Sequence, residues 1–307
     1  MKNLTRTICL TLAVLLGSTG TSWGADFNKG LAAAQSGDFA TALGEWRPLA
    51  EQGDARAQYN LGRMYRQGLG VPQDYKIAAK WYRLSAEQGN ALAQFKLGEM
   101  YSKGEGVPKD DKTAAKLYSL AAKQGDADAQ LYLGVMYRKG EGVPQNYKTA
   151  AKLYSLAAKQ GNAFAQFNLG QMYSKGEGVP KDDETAAKLY SLAAKQGLSR
   201  AQTHLGVMYE EGRGVPQDHK TAVKLYRLAA EQGYVIAQYI LGLMYVEGLG
   251  VPQDYVYAHM WWNIAAASGH KSATKNRDKV AKQMTPAEIS GARKLARECV
   301  AKKYKGC

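Results

Sequence analysis

The chain has 307 residues, and 45% of them are hydrophobic, which is enough to bury a core and excludes an intrinsically disordered protein. The formal net charge is +14 at pH 7. Glycine is abundant at 33 residues, yet the glycines recur at fixed intervals and form no low-complexity tract.

Residues 1–24 have the pattern of a secretory signal peptide. Lys2 and Arg6 form a positive segment, and an apolar segment follows from Ile8 to Leu16. Small residues then precede the cleavage site expected ahead of Ala25. The apolar segment is too short to span a bilayer as a helix, and no later stretch is apolar enough. The sequence therefore predicts an exported protein, periplasmic in preference to secreted, with no transmembrane segment after cleavage.

Residues 25–53 are predicted to form a degenerate repeat that caps the N-terminal end of the array described below. Residues 38–53 match the second helix of the later repeats, and the segment from Phe27 to Ser36 resembles a first helix without the loop that follows it elsewhere. Pro48 inside this cap predicts a bend. A terminal repeat is expected to depart from the common pattern because one of its faces meets water.

A Val-Pro dipeptide then occurs six times at intervals of 36 residues. A fixed period of this size is typical of a solenoid, in which one supersecondary unit is repeated and packs on its neighbours. The period predicts one elongated array instead of several globular domains, and it argues against a buried catalytic cleft. The prolines are Pro72, Pro108, Pro144, Pro180, Pro216 and Pro252. The six repeats are residues 54–89, 90–125, 126–161, 162–197, 198–233 and 234–269.

Each repeat begins with a predicted helix, which we call helix A. In the first repeat Ala57, Leu61, Met64 and Tyr65 are spaced by three and four residues, as on one helical face, and the same residues recur in all six copies. Gly62 belongs to this pattern although glycine is a poor helix former. We interpret it as a position where another backbone approaches closely.

A Gly-x-Gly-Val-Pro loop separates helix A from a second predicted helix, which we call helix B. Gly68 suits a left-handed cap at the end of helix A, and the proline prevents that helix from continuing. In the first repeat helix B starts after an N-cap at Asp74, and its constant face carries Ala78, Tyr82 and Ala86. Without a preceding strand or a third glycine, the loop is excluded as a phosphate-binding site.

Residues 270–307 are predicted to form capping helices that end the array. Thr285 and Glu288 have the spacing of a capping box. We expect the helix that starts there to fold back over the last repeat and to cover its variable helix A positions. Cys299 and Cys307 favour one disulfide, although two free thiols or an intermolecular bridge are also compatible with the sequence.

The C-terminal segment is strongly basic. Residues 271–307 contain eleven lysines and arginines against three acidic residues, a net charge of +8, whereas residues 25–270 carry +4. One interpretation is a solvated tail that aids solubility, and the other is a patch for an anionic envelope component, such as an acidic protein surface, a lipid headgroup or a cell-wall polymer. Nucleic acid is not expected as a partner of an exported protein.

The repeats resemble the Sel1-like repeat family, which is related to the tetratricopeptide repeats. All six copies follow the pattern A-x-A-Q-x-x-L-G-x-M-Y-x-x-G-x-G-V-P-x-D-x-x-x-A-x-x-x-Y-x-x-A-A-x-Q-G almost completely. Tetratricopeptide repeats are shorter and lack this loop. The resemblance implies an all-α, right-handed solenoid with helix A on its concave face. It also implies an adaptor for protein–protein contacts that needs no cofactor.

Positions that differ between otherwise matching repeats are the candidates for recognition, because packing does not fix them. On helix A they form a stripe that is basic in the first repeat and apolar in the last. The middle of the stripe combines aromatic and basic side chains, and we predict that it binds a protein or peptide partner. The predicted partner-binding residues are Arg56, Asn60, Arg63, Lys96, Glu99, Tyr132, Val135, Lys139, Phe164, Asn168, Gln171, Lys175 and His204.

The sequence carries no motif that indicates catalysis or a metal site. Its four histidines lack metal-ligand spacing. Ser272 and Lys275 match the Ser-x-x-Lys motif of penicillin-recognising enzymes, but the companion motifs are absent. A cysteine-rich branch of the Sel1-like family is linked to β-lactam binding, yet the repeats here contain no cysteine. We therefore predict a non-catalytic scaffold of the bacterial cell envelope. The alternatives are a peptidoglycan-binding module or a β-lactamase-like enzyme.

Overall fold

The computed structural model describes residues 24–307, which form helices and connecting loops without a β-strand. The predicted signal peptide lies outside these residues apart from Gly24. The helices are α1 (Phe27–Ser36), α2 (Phe39–Glu51), α3 (Ala55–Gln67), α4 (Tyr75–Glu87), α5 (Ala91–Lys103), α6 (Asp111–Lys123), α7 (Ala127–Lys139), α8 (Tyr147–Lys159), α9 (Ala163–Lys175), α10 (Asp183–Lys195), α11 (Ser199–Glu211), α12 (His219–Ala230), α13 (Val235–Glu247), α14 (Tyr255–Ala267), α15 (Lys271–Val280) and α16 (Pro286–Ala301), with a short 3-10 helix at Ala281–Gln283.

Each helix from α2 to α14 packs against the helices before and after it in the chain. Helices α3 and α4 are helix A and helix B of the first repeat, and the pairs continue to α13 and α14 in the sixth. The buried residues form a series of clusters, each shared by one hairpin and the next helix A. The architecture is the all-α solenoid that the 36-residue period predicted.

A tyrosine and a glycine make the close contact inside each hairpin. Tyr82 of helix B is buried against Gly62 of helix A, where a Cβ atom would lie 2.6 Å from the tyrosine Cδ1. The interpretation that another backbone approaches this glycine is therefore wrong, because the neighbour is an aromatic ring. The same contact recurs from Gly98 and Tyr118 onward to the fifth repeat. An aromatic ring buried in this way removes on the order of 200 Å² from water.

Helix ends are fixed by glycine and by short polar side chains. Gly68 ends α3 in the left-handed conformation with φ of 70°, as predicted. The Asp74 side chain caps α4 by accepting a hydrogen bond of 2.9 Å from the Ile77 N–H. In the last two repeats, however, Leu198 and Tyr234 precede helix A without a side-chain cap. These two helices A therefore depend more on packing than the first four do.

Glutamine side chains form a ladder along the array. The Gln124 amide donates to Gln94 Oε1 at 2.8 Å, and the Gln94 amide donates to the Ala86 carbonyl oxygen at 3.1 Å. The glutamine pair recurs in each of the first five repeats. In the sixth repeat Ser268 stands in the place of the donor glutamine, and the buried Gln238 Oε1 has no hydrogen-bond partner within residues 24–307.

Tryptophan replaces the tyrosine of helix B at both ends of the array. Trp46 of α2 donates from Nε1 to the Phe27 carbonyl oxygen at 3.1 Å, and Trp262 of α14 donates to the Tyr239 carbonyl oxygen at 3.0 Å. Helix α2 continues through Pro48 to Glu51. Each terminal hairpin thus adds a side-chain hydrogen bond to the aromatic contact used by the interior repeats.

The C-terminal helix starts with the predicted capping box. The Glu288 carboxylate accepts from the Thr285 N–H at 2.7 Å, and the Glu288 N–H donates to the Thr285 hydroxyl. Helix α16 packs against α14, the helix B of the last repeat, instead of α13. The expectation that it covers the variable helix A positions of this repeat is therefore wrong, and Ile236 remains exposed.

A disulfide joins Cys299 to Cys307, whose Cα atoms are 5.6 Å apart. Between them Tyr304 lies beside Gly233, where a Cβ atom would be 3.3 Å from the tyrosine ring. The tail is therefore held against the turn that joins α12 to α13. Among the described helices, none is both long and apolar enough to cross a membrane.

Candidate partner-binding surface

The exposed side of the A helices, which we call the A face, is continuous from one repeat to the next. The Arg66 guanidinium lies 3.1 Å from the Glu99 carboxylate of the following helix A. The rings of Phe95 and Tyr132 are 5.6 Å apart between centroids, in the second and third repeats. Side chains therefore bridge neighbouring A helices and leave a joined surface for a partner.

Two grooves open on the A face at corresponding positions, two repeats apart. The first lies between α3 and α5 and has a volume of about 190 Å³. The second lies between α7 and α9 and has a volume of about 300 Å³. The first groove is lined by Tyr59, Arg63, Arg66, Gln67, Tyr75, Tyr82, Lys96 and Glu105. The second is lined by Val135, Arg138, Lys139, Tyr147, Tyr154, Asn168 and Glu177.

A fixed arginine lies at the centre of the second groove. Arg138 pairs with the Glu177 carboxylate at 2.9 Å and donates to Gln171 Oε1 at 3.1 Å. Beside it the fully buried Tyr154 hydroxyl has no hydrogen-bond partner within residues 24–307. Burial raises the pKa of Tyr154 to about 12, against a smaller opposing effect of Arg138. The phenol is therefore protonated at neutral pH.

The structure leaves both predicted aromatic residues of the middle stripe accessible. Phe164 is 57% exposed and Tyr132 is 43% exposed. Tyr132 is supported by Phe95 and by the Tyr118 ring at 5.8 Å, which limits the freedom it would lose on binding.

Two basic residues of the predicted stripe lie on the same side. Lys139 and Lys175 are exposed and form loose ion pairs with Glu141 at 3.4 Å and Glu177 at 3.9 Å. Exposed pairs of this kind contribute little to stability, so both ammonium groups remain available to a partner.

Two residues of the predicted stripe are buried. Asn60 is 7% exposed and Glu99 is 8% exposed, so the expectation that these positions lie free of packing is wrong. Glu99 is enclosed because Arg66 and Lys96 both turn toward it, the latter at 2.8 Å. Burial alone would raise the pKa of Glu99, but the hydrogen bonds and charges of Lys96 and Arg66 lower it below its usual value. Glu99 therefore holds two A helices together.

The remaining predicted residues contact the protein itself. Arg56 lies over the Phe27 ring at 4.3 Å and pairs with Asp54. His204 packs against Phe167 with ring centroids 5.1 Å apart, and burial lowers its pKa, so it is neutral at pH 7. Lys96 lies 4.7 Å above the Phe95 ring centre. The ends of the stripe are therefore occupied by internal contacts, and its middle is the freest part.

The partner-binding residues predicted from the 36-residue period do not include the two arginines that line the grooves. Arg66 and Arg138 occupy the same position of helix A, where the second and fourth repeats carry Ser102 and Ser174. This alternation at 72 residues was the available signal. The alternation covers the first four repeats, because the fifth and sixth carry Glu210 and Val246 at this position. The two grooves correspond to the two arginines of the first and third repeats.

The arrangement suits binding by charge, hydrogen bonds and aromatic contact. Within residues 24–307 no group of three or more His, Cys, Asp or Glu side chains is placed to hold a metal ion. Ser272 and Lys275 are both exposed on α15.

In the basic segment, Arg277 pairs with Asp278, whereas Lys302 and Lys303 have no carboxylate within 4.0 Å among the described residues.

The fold and this surface define an α-solenoid of helical hairpins with a groove-bearing A face. The Sel1 repeat model matches residues 55–90, 91–126, 127–162, 163–198, 199–234 and 235–270. The chain belongs to the Sel1 repeat family. Proteins of this family are commonly scaffolds for protein interactions and are generally non-catalytic.

Two solved structures are similar to the chain. One is c5321, a protective antigen present in uropathogenic Escherichia coli strains, with 35% identity and a TM-score of 0.77 over 85% of this chain. This chain spans 56% of the length of c5321. The other is a Sel1 repeat protein from Oxalobacter formigenes, with 33% identity and a TM-score of 0.72 over 78% of this chain and 96% of that one. No curated protein matches the chain.

Proposed function

We propose that the protein is an exported interaction scaffold of the bacterial cell envelope that binds a protein or peptide along the A face. The observation that carries the proposal is the exposure of Tyr132 and Phe164 on the same two A helices, α7 and α9, that carry Lys139 and Lys175. Large aromatic side chains with charged neighbours are typical anchors of protein interfaces. The interaction role common in the Sel1 repeat family supports the same conclusion.

The second groove and the exposed aromatic rings outside it indicate which chemistry the partner supplies. An apolar side chain of the partner would pack on Phe164 or Tyr132. A carboxylate of the partner would pair with Lys139 at the groove. Because Arg138 is already fixed by Glu177, the groove is ordered before binding, which reduces the entropic cost of association.

Export is supported by residues 1–24 and by the disulfide, since disulfides persist in oxidising compartments. We propose the periplasm as the compartment, with the basic residues 271–307 adding attraction to an anionic envelope component. Fusing residues 1–24 to a phosphatase that folds only after export tests this. A fusion that accumulates in the cells without phosphatase activity contradicts export.

The binding proposal is tested by recovering partners from envelope extracts with residues 25–307. The test variant carries Tyr132→Ala, Lys139→Ala, Phe164→Ala and Lys175→Ala, and circular dichroism verifies that it folds. A matched control carries two apolar and two lysine substitutions at exposed positions elsewhere: Ile77→Ala, Lys109→Ala, Lys181→Ala and Val300→Ala. We expect at least one partner to be lost with the test variant and retained by the control. Equal recovery with the test variant and the unmodified protein contradicts the A face assignment.

A further inference from the structure

The exposed side of the B helices, which we call the B face, carries a row of leucines. They occupy the same helix B position in repeats two to five, and each is 41–50% exposed. A leucine exposed at the same position of four successive repeats is an unfavourable exposure of apolar surface, and its regular position points to an interaction surface. The leucines are Leu120, Leu156, Leu192 and Leu228.

Lysines surround these leucines, mainly in the second and third repeats. Leu120 is flanked by Lys112, Lys116 and Lys123, and all three are exposed. Leu156 has the same three neighbours one repeat later, at 148, 152 and 159. Within residues 24–307 none of these six lysines has a carboxylate within 4.0 Å, whereas Lys188 of the fourth repeat pairs with its own helix. The B face therefore presents uncompensated positive charge beside apolar side chains.

The leucines lie in grooves between successive hairpins. The Leu120 groove has a volume of about 550 Å³, with Ala115 and Val143 in its apolar floor and lysines on its rim. The corresponding groove at Leu228 has a volume of about 560 Å³ and includes Val223 and Val251. The same shape thus recurs on the B face with an apolar floor and a basic rim.

The last repeat shows what fits on such a face. Met260 and Ile264 stand where the interior repeats carry lysine and leucine, and they are 2% and 3% exposed. Helix α16 packs on this part of α14, with Ala292 and Ala296 buried in the contact. The chain therefore places an amphipathic helix of its own on the B face where the lysines are absent.

We propose that the B face of repeats two to five binds an amphipathic helix of a protein partner whose polar flanks are acidic. The precedent of α16 on α14 supports the helical form, since its apolar side packs on the B face of the last repeat. The unpaired lysines indicate that the polar flanks of the partner helix are acidic, because these flanks would meet the lysines along the groove rim. This surface lies on the opposite side of the array from the proposed A face site. Either binding proposal can therefore be wrong while the other holds.

The probes are two labelled peptides of residues 286–301, both with Cys299→Ser. One keeps the native charges, and the other carries Arg293→Glu, Lys294→Glu and Arg297→Glu. Fluorescence anisotropy with residues 25–307 should show about tenfold tighter binding of the acidic peptide, and added salt should remove that difference. No preference for the acidic peptide overturns the proposal.

Two variants locate the binding. Lys116→Glu with Lys152→Glu should weaken the acidic peptide about tenfold and strengthen the native-charge peptide. Lys139→Glu with Lys175→Glu reverses the same number of charges on the A face and should leave both affinities unchanged. Equal loss in the two variants overturns the proposal. So does a protein that binds neither peptide yet sediments with phosphatidylglycerol vesicles, because the B face would then contact a lipid surface.

Discussion

The third and the sixth repeats have the same backbone plan, yet one presents its helix B to solvent and the other buries it. In the third repeat Lys152 and Leu156 are exposed on α8. In the sixth, Met260 and Ile264 occupy the same positions and lie beneath α16. The side chains at these two positions therefore distinguish an exposed helix B from a covered one. The sequence of the last repeat, and not only that of the capping helix α16, therefore determines where the array ends.

The largest expected effect comes from making the sixth repeat resemble the third at one position. Met260→Lys introduces the residue that the five earlier repeats expose, but at a site that is buried beneath a basic helix. A buried, unpaired ammonium costs about 3–5 kcal/mol, so we expect α16 to detach. Loss of amide hydrogen-exchange protection in residues 286–301 measures this.

The matched control is Lys224→Met, which makes the opposite change on the exposed face of α12. Its stability to urea should change by less than about 0.5 kcal/mol. If α16 keeps its protection from hydrogen exchange in the Met260→Lys variant, Met260 is not needed to hold α16 on α14.

The second prediction concerns the aromatic contact inside the interior hairpins. Gly134→Ala places a Cβ atom 2.7 Å from Tyr154 Cε1, and the overpacking should destabilise the array by about 1–3 kcal/mol despite the better helix propensity of alanine. Gly44→Ala in α2 meets no atom within 4 Å and should stabilise by up to about 1 kcal/mol. Urea unfolding measures both. Effects of the same sign contradict the packing role of the interior glycine.

The third prediction extends the glutamine ladder into the sixth repeat. Ser268→Gln supplies the donor that the buried Gln238 Oε1 lacks, and we expect a gain of about 1 kcal/mol in the free energy of unfolding. Gln232→Ser removes the equivalent donor in the fifth repeat, where the bond to Gln202 is 2.8 Å, and should cost a similar amount. A neutral result for both variants means that the ladder does not stabilise the array.

The smallest effect is the part of the pH dependence of stability that comes from His259 in the last repeat. Burial lowers the pKa of His259, and Arg277 and Arg293 lower it further. The unfolded chain therefore takes up this proton first as the pH falls below the ordinary value of 6.5, and stability is lost from that pH downward. His259→Ala restores the alanine found in the first four repeats. It should reduce the difference between urea midpoints measured at about pH 7.5 and 5.5. An unchanged difference assigns the effect to His204, whose pKa is also lowered.

The fold could be predicted from sequence because every hairpin repeats the same buried positions. The accessible part of the surface could be predicted less well. Glu99 varies between repeats and yet is buried, because its enclosure depends on Arg66 of the preceding repeat, a contact that no single repeat contains. The sequence did carry a signal for the position of α16, because Met260 and Ile264 stand where the earlier repeats have lysine and leucine. That signal lies on helix B, whereas the predicted recognition residues all lie on helix A.

The 72-residue alternation has a consequence for how arrays of this kind change length. Arg66 faces Glu99 and Glu105, and Arg138 faces Gln171 and Glu177 in the corresponding places. Removing residues 90–161 as a block would join the first repeat to the fourth and leave Arg66 in the surroundings that Arg138 has now. A gene of this sort can therefore lose its second and third repeats together by recombination between near-identical segments, with the new junction at Arg66 already compatible.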